Sequence, residues 1–267
     1  LDADKLIYDQ SRERVTFVRD GDVFLRDLDS GQLRQITRSS EGERGLRFSQ
    51  DGQRLYYQRA TNWLQYDLSQ GLESAMVSLE FSDDPAEKMP DELSSMQLRL
   101  FDTLRYQRDN RELQRQQQAD RSAVDASVLA PTWYLGDGWE AANSDLSPNG
   151  RWLLLAVQKA GADRGRGGKM PLYVTESGYV DIEDVRTRVG LNPPVPQQLW
   201  LLDLEQRVKH EISFDDLPGI TEQPLAFLDN EESNEDEDEA RTVTISNIIW
   251  QPQGDLAAVQ MIATDNK

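Results

Sequence analysis

Phe48-Ser49-Gln50-Asp51-Gly52-Gln53-Arg54-Leu55-Tyr56-Tyr57 is an apolar residue, a tight turn closed by glycine, and a hydrophobic strand. The phrase returns as Leu146-Ser147-Pro148-Asn149-Gly150-Arg151-Trp152-Leu153-Leu154-Leu155. It returns again as Trp250-Gln251-Pro252-Gln253-Gly254-Asp255-Leu256-Ala257-Ala258-Val259. One such unit cannot bury its apolar face alone and must stack on copies of itself, so the repeat decides the architecture. A fainter copy lies upstream. Arg14-Val15-Thr16-Phe17-Val18 matches Arg54-Leu55-Tyr56-Tyr57-Gln58, and Val23–Leu28 matches Trp63–Leu68, so that Phe17 to Tyr57 and Asp27 to Asp67 are each 40 residues. A period of about 40 residues built from short strands is the blade length of a β-propeller.

The outer half of the unit recurs as well. Leu28-Asp29-Ser30-Gly31-Gln32-Leu33, Leu68-Ser69-Gln70-Gly71-Leu72 and Leu199–Val208 are each an apolar strand ending in Asp-Leu, a polar turn and a further strand. The pattern predicts hairpins. The aspartate of each Asp-Leu is expected to bond turn amides rather than a ligand. These segments predict an all-β chain of four-stranded antiparallel blades, a partial β-propeller with a helical insertion. The expected division is blades over 1–82, a helical insertion over 83–130, and further blades over 131–267. Blade equivalents fall around 5–37, 46–79 and 140–213, and another begins at 245. Propellers close with typically 4–8 blades, so the last blade is expected to be truncated, or blades are supplied by another chain.

Three stretches break the period. Ser82-Asp83-Asp84-Pro85 has the character of a helix start, and Leu93, Met96, Leu100 and Leu104, flanked by Phe101, follow at helical spacing. This insertion is either a lid or contact arm, or a decorating helix on a blade edge. The second excursion, 160–196, holds a basic glycine-rich run, Gly161–Lys169, and an alternating stretch, Tyr173–Val180, expected to be a strand with a turn. Asn192-Pro193-Pro194-Val195-Pro196 then breaks structure. The third, 229–239, carries eight carboxylates in eleven residues and reads as a solvated, self-repelling loop.

Composition narrows the function classes. The 267 residues carry a net charge of −19 and are 37% hydrophobic, with a pI near 4.4. Phosphate binding needs a cationic footprint, so nucleic acid is not expected as a partner, nor is an anionic lipid surface. No stretch approaches the ~20 apolar residues of a membrane span. The absence of cysteine removes disulfides and thiolate metal sites. Leu1-Asp2-Ala3-Asp4-Lys5 has neither part of a signal peptide, and the missing initiator Met suggests a processed or trimmed chain.

The chemistry tested is mostly absent. A Ser-His-Asp triad needs a histidine beside the nucleophile, and the one histidine, His210, lies in a strand-like run. Glu176-Ser177-Gly178 lacks the first glycine of a nucleophile elbow. Lys169 is followed by Met170, and Asp163 replaces the first glycine of a phosphate loop. Asn234, Asp236 and Asp238 alternate as calcium ligands do, but Glu239 stands where an EF-hand needs glycine. No metal or cofactor is expected. Trp63, Trp152, Trp200 and Trp250 read as core. Trp133, Tyr134 and Trp139, around Gly136-Asp137-Gly138, either line a channel or pack.

The Ser-x-Asp-Gly-x-x-Leu and Leu-Ser-Pro-Asn-Gly-Arg-Trp-Leu phrases resemble the N-terminal propeller of prolyl-oligopeptidase-family (S9) serine peptidases of the dipeptidyl-peptidase-IV-like branch. They also resemble TolB-type propellers. Met170-Pro171-Leu172-Tyr173-Val174-Thr175-Glu176-Ser177-Gly178-Tyr179-Val180, followed by Val185-Arg186 and Val189-Gly190, resembles a bacterial subgroup whose propeller is interrupted. The resemblance implies a C-terminal α/β-hydrolase domain as partner, which carries the Ser, Asp and His. None of the three transfers to a position here, and the catalytic set of this chain is expected to be empty. Dipeptidyl members hold the free N-terminus of a peptide substrate with paired glutamates on a propeller helix; Asp91-Glu92 is too loose a match to carry that role over. The implied function is a non-catalytic portion that gates access and contributes to peptide binding, through size exclusion and acidic walls that attract amino groups. The implied location is periplasmic or secreted, while the residues alone leave the compartment, the cytoplasm included, open. The alternative is a TolB- or WD-like scaffold for protein–protein interaction. Homo-oligomer formation is left open.

Overall fold

The computed structural model describes residues 5–85, 106–114, 116–117, 132–163, 165, 168–176, 178–185, 192, 194–221 and 240–263. Strands β1 (Ile7–Tyr8), β2 (Arg14–Arg19), β3 (Asp22–Asp27) and β4 (Leu33–Gln35) form one antiparallel sheet in chain order. Strands β5 (Glu43–Phe48), β6 (Arg54–Arg59), β7 (Asn62–Asp67) and β8 (Leu72–Val77) form the next. β9 (Leu79–Glu80) pairs in parallel with β10 (Trp133–Tyr134). The third blade is β11 (Trp139–Leu146), β12 (Trp152–Lys159), β15 (Gln197–Asp203) and β16 (Val208–Ile212), interrupted by a hairpin of β13 (Gly168–Leu172) and β14 (Asp181–Val185). β17 (Val243–Trp250) and β18 (Ala257–Ala263) pair as the inner half of a fourth. The chain is all-β, built of propeller blades.

The turn of the repeated phrase explains its residue choices. Ser49 Oγ accepts from Arg54 N at 2.9 Å, and Gly52 N donates to Ser49 O at 2.9 Å. Ser147 Oγ accepts from Trp152 N at 2.8 Å, and Gly150 N donates to Ser147 O at 2.9 Å. The three glycines adopt φ of +67°, +75° and +84°, which residues with a Cβ enter only at a cost. They also face crowding from the blade before. A Cβ on Gly150 would lie 2.8 Å from Tyr56 Oη of blade 2, and one on Gly254 would lie 2.8 Å from Asn149 N of blade 3. Gly52 faces Arg14 of blade 1, whose Nη2 donates to Gly52 O at 2.9 Å. The phrase is thus both a turn and a blade-to-blade joint, and Gln50 N adds a direct bond to Pro148 O at 2.8 Å.

Blade 1 has the same turn in disguise. Arg14 N donates to Asp9 Oδ1 at 3.1 Å, Arg12 N donates to Asp9 O at 3.1 Å, and Arg12 takes the left-handed place of the glycine at φ +58°. Asp9 fills the role of the later serines, so the copy is not visible by letter matching.

The cores lie between the blades. Val23, Leu25, Phe48, Leu55 and Tyr57 fill the space between blades 1 and 2. Tyr56, Trp63, Leu146, Leu153, Leu155, Val157 and Trp200 fill that between 2 and 3. Leu154, Ala156, Leu199, Ile245 and Ile248 fill that between 3 and 4. Successive side chains of β6 and β12 therefore go to opposite neighbours, as the pleat requires, and a strand covered on both faces is apolar throughout. Trp63 and Trp200 are fully buried core residues, as expected; Trp152 and Trp250 are half-buried.

Each Asp-Leu aspartate bonds turn donors, as expected. Asp27 Oδ1 accepts from Ser30 N at 2.7 Å, Asp67 Oδ1 from Gln70 N at 2.9 Å, and Asp203 Oδ1 from Gln206 N at 2.9 Å. The serine hydroxyls of Ser30 and Ser69 hold the first two carboxyls below the usual aspartate range. Of the strand with a turn expected over Tyr173–Val180, the turn is present, with Gly178 at φ +73° and its N–H on Thr175 O at 3.2 Å, whereas the strands, β13 and β14, flank the segment. Residues 106–114 and 116–117 are helical. Ser82–Pro85 are not helical, and Leu93, Met96, Leu100, Phe101, Leu104 and the acidic run 229–239 lie outside the described residues.

Gly254→Ala is expected to destabilise by more than the about 1–2 kcal/mol that a left-handed alanine costs by itself, because Asn149 must move as well. Gly31, at φ +71° with no atom within 4 Å of where a methyl would stand, provides the comparison: Gly31→Ala should cost only the backbone share. Urea unfolding of the two variants checks the difference, and equal losses would refute the blade-to-blade contact at Gly254.

Candidate binding cavity at the inner strands

The first strand of each blade pairs on one side only, and three of these strands are interrupted at matching places. β5 shifts register between Arg44 and Arg47, β11 between Ala141 and Asn143, and β17 between Ile245 and Asn247. A bulge bends its strand and re-aims side chains. At β5 the cause is packing: a Cβ on Gly45 would lie 2.8 Å from the Trp63 ring, so the chain turns aside at φ +64°. Trp63 is itself fixed by its indole N–H, which donates to Ser144 Oγ of β11 at 3.0 Å; Gln58 Nε2 donates to the same oxygen at 3.1 Å.

These bulges border a cavity of about 400 Å³. Its charged lining is Lys5, Glu43, Arg44, Arg47 and Asp145, and its amides are Asn143 and Asn247. Arg47 crosses from blade 2 to pair with Asp145 of blade 3, and its Nη1 also donates to Leu146 O at 2.6 Å. Trp250 of blade 4 donates to Asp145 O at 3.2 Å, so three blades meet at Asp145. Burial pushes the Asp145 carboxyl above the usual aspartate range, against the opposing pull of the Arg47 guanidinium. Glu43 is buried and saturated. It accepts from Arg59 Nη2 at 2.8 Å, Ser39 Oγ at 2.8 Å and Thr37 Oγ1 at 3.0 Å.

Asp145 of the lining is paired with Arg47, and Glu43 shares Arg59 with Glu73. Arg44 rests on neutral acceptors, Gln58 Oε1 at 3.0 Å and Ala60 O at 3.0 Å. The lining thus holds three cations, Lys5, Arg44 and Arg47, against two carboxylates, Glu43 and Asp145, in a chain of net charge −19.

The other candidates fall elsewhere. His210 is exposed on β16, the outermost strand of its blade. Lys169 is exposed on β13. Trp133 and Trp139 pack against the core between blades 2 and 3; Trp139 meets Trp200 edge-on at 5.3 Å, and Lys159 Nζ sits 3.7 Å from its ring centroid. They are packing residues rather than channel lining. Ser177, Asp91, Glu92, Asn234, Asp236, Asp238 and Glu239 lie outside the described residues, and no group of metal-ligating side chains occurs among the described ones. Sequence reasoning missed Arg44, Arg47, Asn143 and Asn247. A signal existed: Asn143 and Asn247 each stand three residues before the apolar residue that opens the repeated phrase.

No protein-family model matches the chain, and no curated protein matches it. Solved structures do. Dipeptidyl peptidase 4 of Porphyromonas gingivalis is similar over 98% of this chain and 29% of its own, at 11% identity and a TM-score of 0.45. Oligogalacturonate lyase of Vibrio parahaemolyticus is similar over 97% of this chain and 58% of its own, at 11% identity and a TM-score of 0.42. A putative TolB of Agrobacterium tumefaciens is similar over 79% and 50%, at 9% identity and a TM-score of 0.35. The chain spans less than a third of the length of the peptidase and 50–58% of the other two.

Arg47→Gln is expected to destabilise the fold by about 3 kcal/mol at pH 7, since it leaves the Asp145 charge buried without its partner. The loss should shrink on acidification. A carboxyl whose pKa is higher folded than unfolded takes up a proton on folding, so stability rises as the pH falls from the folded value toward the ordinary 3.8. Removing Arg47 raises the folded value further and widens that window. Urea unfolding of wild type and variant from pH 7 to 4 checks it; a deficit constant with pH would refute the assignment.

Proposed function

We propose that this chain is the propeller portion of a dipeptidyl-peptidase-IV-like serine peptidase, serving access and recognition rather than bond cleavage. The observation that carries the reading is the position of its one histidine. His210 lies exposed on an outermost strand, while the cavity lies at the inner strands of the blades. A histidine-activated serine therefore has no base at the cavity. The blade phrases and the Met170–Val180 segment support the peptidase branch by resemblance, and that branch puts the nucleophile in an α/β-hydrolase domain. A channel bordered by inner strands would admit extended peptide and exclude folded protein. The same reading puts the protein in the periplasm or outside the cell.

The test compares the 267-residue chain with the product of the complete reading frame. Both are assayed on dipeptide chromogenic substrates with and without a serine-directed inhibitor. The complete product is expected to show inhibitor-sensitive turnover and the 267-residue chain none. Inhibitor-sensitive turnover by the 267-residue chain would overturn the non-catalytic role. A reading frame without a Gly-x-Ser-x-Gly elbow, and without turnover, would replace the peptidase by the TolB-like scaffold.

A further inference from the structure

We propose that the cavity between the inner strands β5, β11 and β17 is a carboxylate-binding site for an extended peptide, with Arg44 and Lys5 holding the carboxylate and Asn143 and Asn247 bonding the peptide amides. The inference goes beyond the peptidase reading and stands without it, since a scaffold propeller would use the same wall.

Charge is the first argument. Of the five charged groups on the lining, Glu43 and Asp145 are each paired with an arginine, and Arg44 has neutral acceptors alone. Lys5 forms no ion pair within 4 Å among the described residues, and its charge acts on Asp145 at longer range. A concave surface with three cations against two carboxylates, in a chain of net charge −19, favours anions against the field of the rest of the molecule.

Preorganisation is the second. Arg44 is held at both its Nε and its Nη2, by Gln58 and by the carbonyl of Ala60. Gln58 is held in turn through Ser144. A guanidinium fixed in this way keeps free N–H groups in a planar fork, the arrangement that fits a carboxylate.

Neutral polar groups are the third. The side chains of Asn143 and Asn247 form no hydrogen bond among the described residues, although each can both donate and accept. They occupy the same position of adjacent inner strands, just after the bulge. Paired amides on neighbouring edges suit the alternating N–H and C=O of an extended backbone. Size agrees. About 400 Å³ far exceeds a lone ion's need, a water's share of liquid volume being about 30 Å³, and falls within the range of ligand pockets.

The carboxylate is either a chain terminus or an acidic side chain, and the probes separate the two. N-acetyl-trialanine, N-acetyl-trialanine amide and N-acetyl-Ala-Glu-Ala amide are titrated into the chain. Binding is followed by ¹H–¹⁵N NMR at the side-chain amides of Asn143 and Asn247 and at Arg44 Nε–Hε. Saturable shifts at these groups are expected with N-acetyl-trialanine, with the glutamate peptide, or with both, and not with the neutral amide. Which acid binds identifies the source. R44Q with K5Q should weaken the binding at least tenfold, while R44K retains part of it. K5Q alone, at an exposed residue, gives a partial loss if the double variant does not fold. Equal binding of the neutral amide, or no saturable shift with either acid up to about tenfold above the millimolar affinity a weak site has, would overturn the proposal.

Discussion

The structure depends on the absence of one methyl group at each joint. Where the repeated phrase turns, the backbone of one blade comes so close to the side chains of the blade before that a Cβ on Gly150 or Gly254 would overlap Tyr56 or Asn149. Close approach lets the central strands bury both faces, and burial on both faces allows Leu153–Val157 to be a continuous apolar run. The polar atoms trapped by this approach then need partners across the joint. Arg14 to Gly52, Gln50 to Pro148 and Asn149 to Asp255 supply them. Each blade therefore contacts its neighbours through a core and a turn, which is how repeat folds distribute their stability.

The same constraint places the cavity. Inner strands have one unpaired edge, and packing of Trp63 under Gly45 forces β5 to bulge there. Bulges at matching positions in β11 and β17 line the edge with side chains in place of a straight ladder. The electrostatics follow from pairing across blades. Because Asp145 is the place where blades 2, 3 and 4 meet, its charge is consumed by the scaffold, and the cations nearby set the sign of the wall.

Much of the fold is legible in the sequence because its signals are local. The glycine phrase and the Asp-Leu turns are each determined by backbone geometry within about ten residues, their 40-residue recurrence shows that they repeat, and all-β blades follow from them. Blade 1 shows the limit: Asp9 replaces serine and Arg12 replaces glycine, so the turn survives while the letters do not. The Gly168–Val185 hairpin has the expected turn within Tyr173–Val180, but its strands lie on either side, because the alternation runs on through the turn closed by Gly178. The cavity is not legible. Its residues come from three strands about 100 residues apart, and what matters at Arg44 is that it lacks a carboxylate partner, which only the packed structure reveals. The two asparagines at one phase of the repeat are the trace available, and they carry no meaning until the bulge beside each is known.

The hairpin of β13 and β14 has a consequence for how the third blade comes together. In blades 1 and 2 the two middle strands meet across a two-residue turn, Arg19 opposite Asp22 and Arg59 opposite Asn62. In blade 3 the corresponding meeting is Gln158 opposite Gln197, with the whole excursion between them. Loop-closure entropy grows slowly with length, so lengthening the connection this far adds about 2–3 kcal/mol to the cost of bringing the strands together. The excursion leaves the register of the paired strands unbroken, and the heavily apolar β12 offsets the closure. The middle of blade 3 is thus the most non-local of the within-blade pairings. A pairing closed across 39 residues raises the contact order of blade 3 above that of blades 1 and 2, and slows the joining of β12 to β15 accordingly.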